Sequence, residues 1–244
     1  MDSSIQKHSL LKSIILHLLP GILIGTCYYS IVPIVKMYGF PSVKALILSG
    51  FFVLIPFELG FLIYQKRTNK LNSLKELFEY TKNLKYWQYI VYTLAIIILS
   101  GIAFKVFSFT SDLLNPLLLQ IIPPEMQLDM GLSVEYLKYK LIITYALFLI
   151  LIVIVLPIIE ELYFRGYLLP RMPSKLKNWT EPLHSGLFAL YHTWSPGLFI
   201  TRTIGILPLI YFVKRKKNIY IGIIAHCMVN SIDFIIGLVF IFNM

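Results

Sequence analysis

Several stretches of this chain run for about 20 residues with almost no charge, the length a helix needs to cross a hydrocarbon layer of roughly 30 Å. In such a layer no water serves backbone N–H and C=O groups, so segments of this kind must satisfy them internally as helices. Hydrophobic residues make up 57% of the 244 positions and charged residues only 14%, outside the soluble range. The pattern predicts an all-α, polytopic membrane helix bundle forming one domain, 1–244. About seven spans fall near 13–35, 43–64, 87–109, 139–169, 181–195, 198–213 and 218–242.

The formal charge of +10 does not point to nucleic acid, because the Lys and Arg residues sit in short loops between apolar blocks, where they set topology. Lys66, Arg67, Lys70, Lys75, Lys82 and Lys85 occupy one such loop, Arg171, Lys175 and Lys177 a second, and Lys214 to Lys217 a third. Alternating spans bring all three to one side, while segment 110–138 on the other side carries Asp112, Glu125, Asp129 and Glu135. The positive-inside rule then makes the N-terminus cytoplasmic and the C-terminus external. Within 65–86, Leu71, Leu74, Leu77 and Phe78 recur at helical spacing among charges, which predicts an interfacial helix lying on lipid headgroups.

Lys7 and Lys12 precede an apolar run as in a signal peptide, but the run continues to about Val35 without an A-x-A-like site, so it reads as a retained first span. Ile24-Gly25-Thr26-Cys27 is a poor fit to a lipoprotein cleavage box, and Cys27 and Cys227 read as packing residues. The fifth segment is short: Pro182 to Trp194 as a helix covers only about 20 Å, so it is expected to stop inside the membrane. The irregular Trp194-Ser195-Pro196-Gly197 that follows needs protein or a water-filled cavity around it.

Ionisable groups inside spans mark functional sites by default, because burying them in lipid is costly. Glu160 and Glu161 are followed by Arg165, four residues after Glu161 and on its helical face. His192 follows Phe188 by one turn, and His226 and Asn230 share a face of the last span. Taken singly, each has a bland reading: a boundary ion pair for the first group, packing for a lone histidine. Their depths coincide, however, at about 13 Å for Glu160, 17 Å for His192 and 12 Å for His226 from the cytoplasmic helix ends. A carboxylate with imidazole and amide groups in one layer suits activation of water, with Glu160 as the base and Glu161 with Arg165 as an orienting pair. The same set, Glu160, His192 and His226, also allows zinc with an open position for water. The strong zinc signal His-Glu-x-x-His is lacking, and Ser195 has no nucleophile-elbow context. Arg202 lies roughly 17 Å deep, either ion-paired with a buried acid or contacting a substrate carboxylate or oxyanion. Glu58 and Asp233 read as structural partners.

Three motifs in order, Glu160-Glu161-Leu162-Tyr163-Phe164-Arg165 (EExxxR), Phe188 to His192 (FxxxH) and His226 to Asn230 (HxxxN), resemble those of the CAAX protease and bacteriocin-processing family, also called Abi or CPBP proteins. That family includes the eukaryotic endopeptidase acting on prenylated CAAX proteins. The resemblance covers about 139–242, the expected catalytic core, while residues 1–138 carry only generic membrane character.

The resemblance implies an intramembrane endopeptidase with a conical polar cavity open to the cytoplasm, acting on a peptide or a prenylated or otherwise lipidated protein. It implies that Glu160, His192, His226 and Asn230 surround the catalytic water, supported by Glu161, Arg165 and Phe188. The family has been described both as metalloproteases and as using a glutamate base without metal; the second is preferred here. The short loops are similar to those of bacterial members in the plasma membrane. Two rival readings are a proton-coupled transporter, against which the halves lack inverted-repeat symmetry, and a non-catalytic bacteriocin immunity protein of the same fold.

Overall fold

A computed structural model describes residues 5–118 and 120–244. Seven helices dominate the described residues. They are α1 (Leu10–Met37), α2 (Val43–Thr68), α3 (Tyr86–Leu118), α4 (Lys138–Arg171), α5 (Thr180–Tyr191), α6 (Pro196–Lys216) and α7 (Ile219–Phe242). All but α5 are long and apolar enough to cross a membrane, so six segments rather than seven qualify as spans of this integral membrane protein. With 12 residues, α5 reaches only about 18 Å, which bears out the expectation that it stops short. The chain then reverses through a turn in which Ser195 N–H donates to His192 O at 3.1 Å.

This reversal is held by α1. Gly21 and Gly25 lie one turn apart on α1, and a Cβ at either would collide with the Tyr191 carbonyl or the Thr193 hydroxyl. Small residues at that spacing let backbones approach closely, the usual way helices associate where lipid offers no hydrophobic drive. Thr193 Oγ1 uses the approach to donate to Gly21 O at 3.0 Å.

The three basic segments do meet at one end of the bundle. Lys82 N–H donates to Lys217 O at 2.8 Å, Ile219 N–H to Tyr80 O at 2.8 Å, and Lys214 pairs with Glu181 at 2.6 Å. His8 N–H donates to Arg171 O at 2.8 Å, bringing the chain's start to the same end. At the opposite end Ser42 Oγ donates to Gln127 O and Tyr136 hydroxyl to Asp129, folding the acidic segment over the start of α2.

The interfacial helix expected in 65–86 is not there. Only Leu74–Leu77 forms a single 3₁₀ turn, boxed by Ser73 and Glu76, and Leu77, Phe78 and Tyr80 are buried in the main core instead of facing headgroups. Phe78 fits because Gly166 on α4 has no side chain; a Cβ there would stand 2.9 Å from its ring.

Helices α2 and α4 contain wide turns with i to i+5 hydrogen bonding, at Gly50–Leu59, Leu149–Val155 and Glu161–Leu168. Such π-type stretches re-aim side chains and recur at functional sites. The last two flank Glu160.

Candidate active site

Helix α4 presents Glu160 and Glu161 side by side toward different neighbours. Arg165 Nη1 stands 3.2 Å from Glu161 Oε1, and both side chains are fully buried, as the four-residue spacing predicts. The Arg165 guanidinium lies 4.0 Å above the Phe188 ring, so Phe188 supplies a cation–π seat for a fully buried charge. The ring of Phe188 also meets that of His192, 4.8 Å between centroids.

Across from α4, His226 on α7 is held by Glu161. A carboxylate can only accept, so the imidazole Nδ1–H donates to Glu161 Oε1 at 3.0 Å. That fixes Nε2 as the atom facing Glu160 Oε2, 3.8 Å away. The other Glu160 oxygen accepts from the Tyr191 hydroxyl at 3.0 Å. Close approach of α7 depends on Gly222, one turn before His226, where a Cβ would come within 2.9 Å of Glu161 Oε2.

Asn230 reaches α4 through a backbone vacancy that proline creates. In the wide turn, Leu156 N–H bonds back five residues to Leu151 O. The next donor in that register would be residue 157, but Pro157 has no N–H, which leaves Ile152 O free. Asn230 Nδ2 fills it at 2.9 Å. The amide thus docks α7 on α4, with its oxygen left for the cavity beyond.

That cavity has a volume of about 640 Å³ and a mostly apolar wall, with Glu160, His192, Arg202, His226, Asn230 and Asp233 among its lining residues. The structure therefore brings together all four residues expected around one water. Residues 142–232, the stretch that carries all three motifs, match the family model described as type II CAAX prenyl endopeptidase Rce1-like. This part of the chain is similar to that family. The match bears out the resemblance carried by the motifs. No curated protein and no solved structure matches the chain.

Within the matched region the donor geometry can be tested for a metal. His192 Nδ1–H donates to Phe188 O at 2.8 Å, leaving Nε2 as its free atom. Yet among the described residues no three His, Cys, Asp or Glu side chains converge closely enough to hold a metal ion. The arrangement does not fit a zinc site on Glu160, His192 and His226, and no step is derived through one.

Other intramembrane charges depart from their expected roles. Arg202 makes no ion pair with a buried acid among the described residues; its Nη2 donates to Ser195 Oγ at 3.0 Å. Asp233 also lacks an ion pair there and stands at the cavity wall. Glu58 is fully buried on α2 in electrostatic reach of Glu160 and Arg165, yet among the described residues it makes no ion pair and neither of its carboxyl oxygens has a hydrogen-bond partner.

Two features of the site have no precursor in the sequence reading. Tyr191, the residue before His192, is the hydrogen-bond donor to Glu160. Behind Phe164, His17 Nδ1–H donates to Ser13 O at 2.6 Å, and its Nε2 accepts from His184 Nδ1–H at 2.8 Å, both rings fully buried. Polar residues recurring within apolar runs are the only signal that pointed to either.

Proposed function

We propose that the chain is an intramembrane endopeptidase that hydrolyses a peptide bond in a peptide or lipidated protein, using Glu160 as general base. One observation carries the reading: the His226 imidazole is clamped between two buried carboxylates, with Glu161 on Nδ1 and Glu160 facing Nε2. A gap of 3.8 Å is too long for a direct hydrogen bond but suits a water that bonds to both atoms.

In this mechanism Glu160 takes a proton from that water as its oxygen attacks the scissile carbonyl. The proton then passes to the departing amine, so the carboxylate is regenerated when the C–N bond breaks. Glu161, itself paired with Arg165, orients the His226 ring so that its Nε2 faces the reacting atoms beside Glu160. His192, with Nδ1 committed to a carbonyl, accepts from the water through Nε2. Asn230 acts chiefly by holding α7 against α4.

An apolar wall beside a small polar centre favours a substrate whose lipid chain lies in the cavity while its peptide crosses Glu160. The basic end of the bundle is the cytoplasmic end in this reading, by the positive-inside rule, whereas the cavity runs from Glu160 toward the acidic end, where Val43, Leu128 and Met130 line it, against the expected cytoplasmic opening.

The test is cleavage of a quenched prenylated peptide by the purified protein in detergent. Cleavage that disappears in Glu160→Ala and His226→Ala supports the reading. Proton-coupled flux in liposomes without any cleavage would overturn it in favour of a transporter.

A further inference from the structure

Asp233 is an acid at membrane depth to which the fold gives no partner. Among the described residues its carboxylate makes no ion pair and accepts no hydrogen bond. Tyr145 on α4 is in electrostatic reach, but its hydroxyl donates elsewhere, to Met130 O at 3.0 Å. Arg202, which also lines the cavity, is turned to Ser195. An unmatched carboxylate in such a place is costly, so a proton or an arriving cation must balance it.

The position of Asp233 favours the cation. It is exposed on the wall of the 640 Å³ cavity instead of being packed between helices. Helix α7 runs unbroken from Ile219 to Phe242, and Asp233 follows His226 along it by seven residues. Two turns return Asp233 to within about 20° of the His226 direction and place it about 10 Å further along the helix. Asn230 lines the same wall between them, and Met130, bonded to Tyr145, lines the acidic end of the cavity. An extended peptide advances about 3.3 Å per residue, so one that crosses Glu160 and His226 carries a side chain about three residues from the attacked bond over Asp233. A lysine or arginine fits there: its methylene stem lies along the mostly apolar wall while its charged head reaches the carboxylate.

We propose that Asp233 is a specificity-determining residue of the cavity, binding the ammonium or guanidinium group of a substrate side chain about three residues from the bond that is cleaved. The register rests on the peptidase reading, whereas the cation site does not.

The test reads affinity in the full-length Glu160→Gln protein in detergent, with fluorescent prenylated peptides acetylated at the N-terminus. At each position in turn lysine is compared with norleucine, which keeps the stem and lacks the charge. At one position the lysine peptide is expected to bind roughly tenfold more tightly, as a charge-assisted hydrogen bond warrants. Asp233→Asn brings that ratio close to one, Asp233→Glu retains part of it, and Asp233→Lys turns the preference to a glutamate at the same position. Equal affinities for lysine and norleucine at every position, as for a carboxyl held protonated, would overturn the inference. So would a ratio that survives Asp233→Asn, or a preference that needs a free N-terminus and thus belongs to an α-amino group. Should Asp233→Asn not fold, Asp233→Ser and Asp233→Glu give the same comparison. Cleavage of the lysine peptide by the unaltered protein locates the bond, and a lysine far from it would refute the register. Because affinity is read without turnover, failure of the peptidase reading leaves the cation site standing on its own.

Discussion

Replacing Asn230 by Ala removes the donor that serves Ile152 O where Pro157, without an N–H, cannot. Interhelical hydrogen bonds in membrane proteins contribute about 0.6 to 1.7 kcal/mol, and this part-buried bond adds no full desolvation cost when it is lost. Asn230→Ala should therefore destabilise by about 1 kcal/mol. Pro157→Ala supplies an N–H one residue beyond the Leu156 donor, in register for Ile152 O. In that background Asn230→Ala should cost less, with a coupling of about 1 kcal/mol in a double-mutant cycle. Reversible unfolding of the four proteins in mixed micelles measures it. Strictly additive costs would refute the account of how Asn230 docks α7 on α4.

Gly222→Ala puts a Cβ 2.9 Å from Glu161 Oε2 and 2.8 Å from Val213 Cγ2, so α7 must back away and carry His226 off Glu161; peptide cleavage should fall at least about tenfold, while the same change at Gly60, which has open space around it, leaves the rate unaltered. Arg165→Met strips Glu161 of its ion-pair partner and should destabilise by about 3–5 kcal/mol, seen as a large drop in thermal stability. At the basic end, burial first and then Lys12 and Arg171 push His8 down to about 4 from its ordinary value near 6.5. The unfolded chain thus binds the proton that the folded one refuses, and stability should fall as pH drops from about 6.5 to 4, a slope that His8→Leu flattens.

Much of the site is legible because charge in an apolar run is conspicuous. Glu161 and Arg165 pair as their spacing requires, and the depth shared by Glu160 and His226 corresponds to real proximity. What escapes the sequence is non-local or depends on backbone register. Tyr191 in an apolar helix reads as packing until its hydroxyl meets a carboxylate 31 residues away. The role of Pro157 appears only once the wide turn shifts its missing bond to Ile152. Helix α3 runs on to Leu118, beyond the expected end near 109, because Thr110 and Ser111, which look like loop residues, are satisfied by Thr201 on α6. The amphipathic spacing in 65–86 reflects burial of Leu77 and Phe78 against α4 and not a helix on the membrane surface.

Glu160 is the residue on which the proposed chemistry turns, and its conservative amide tests it without altering shape. Turnover of a saturating prenylated peptide by Glu160→Gln should fall by about 100- to 10,000-fold with peptide affinity retained, the range for loss of a general base. Turnover within threefold of the unaltered protein, about 0.7 kcal/mol in barrier, would contradict the assignment.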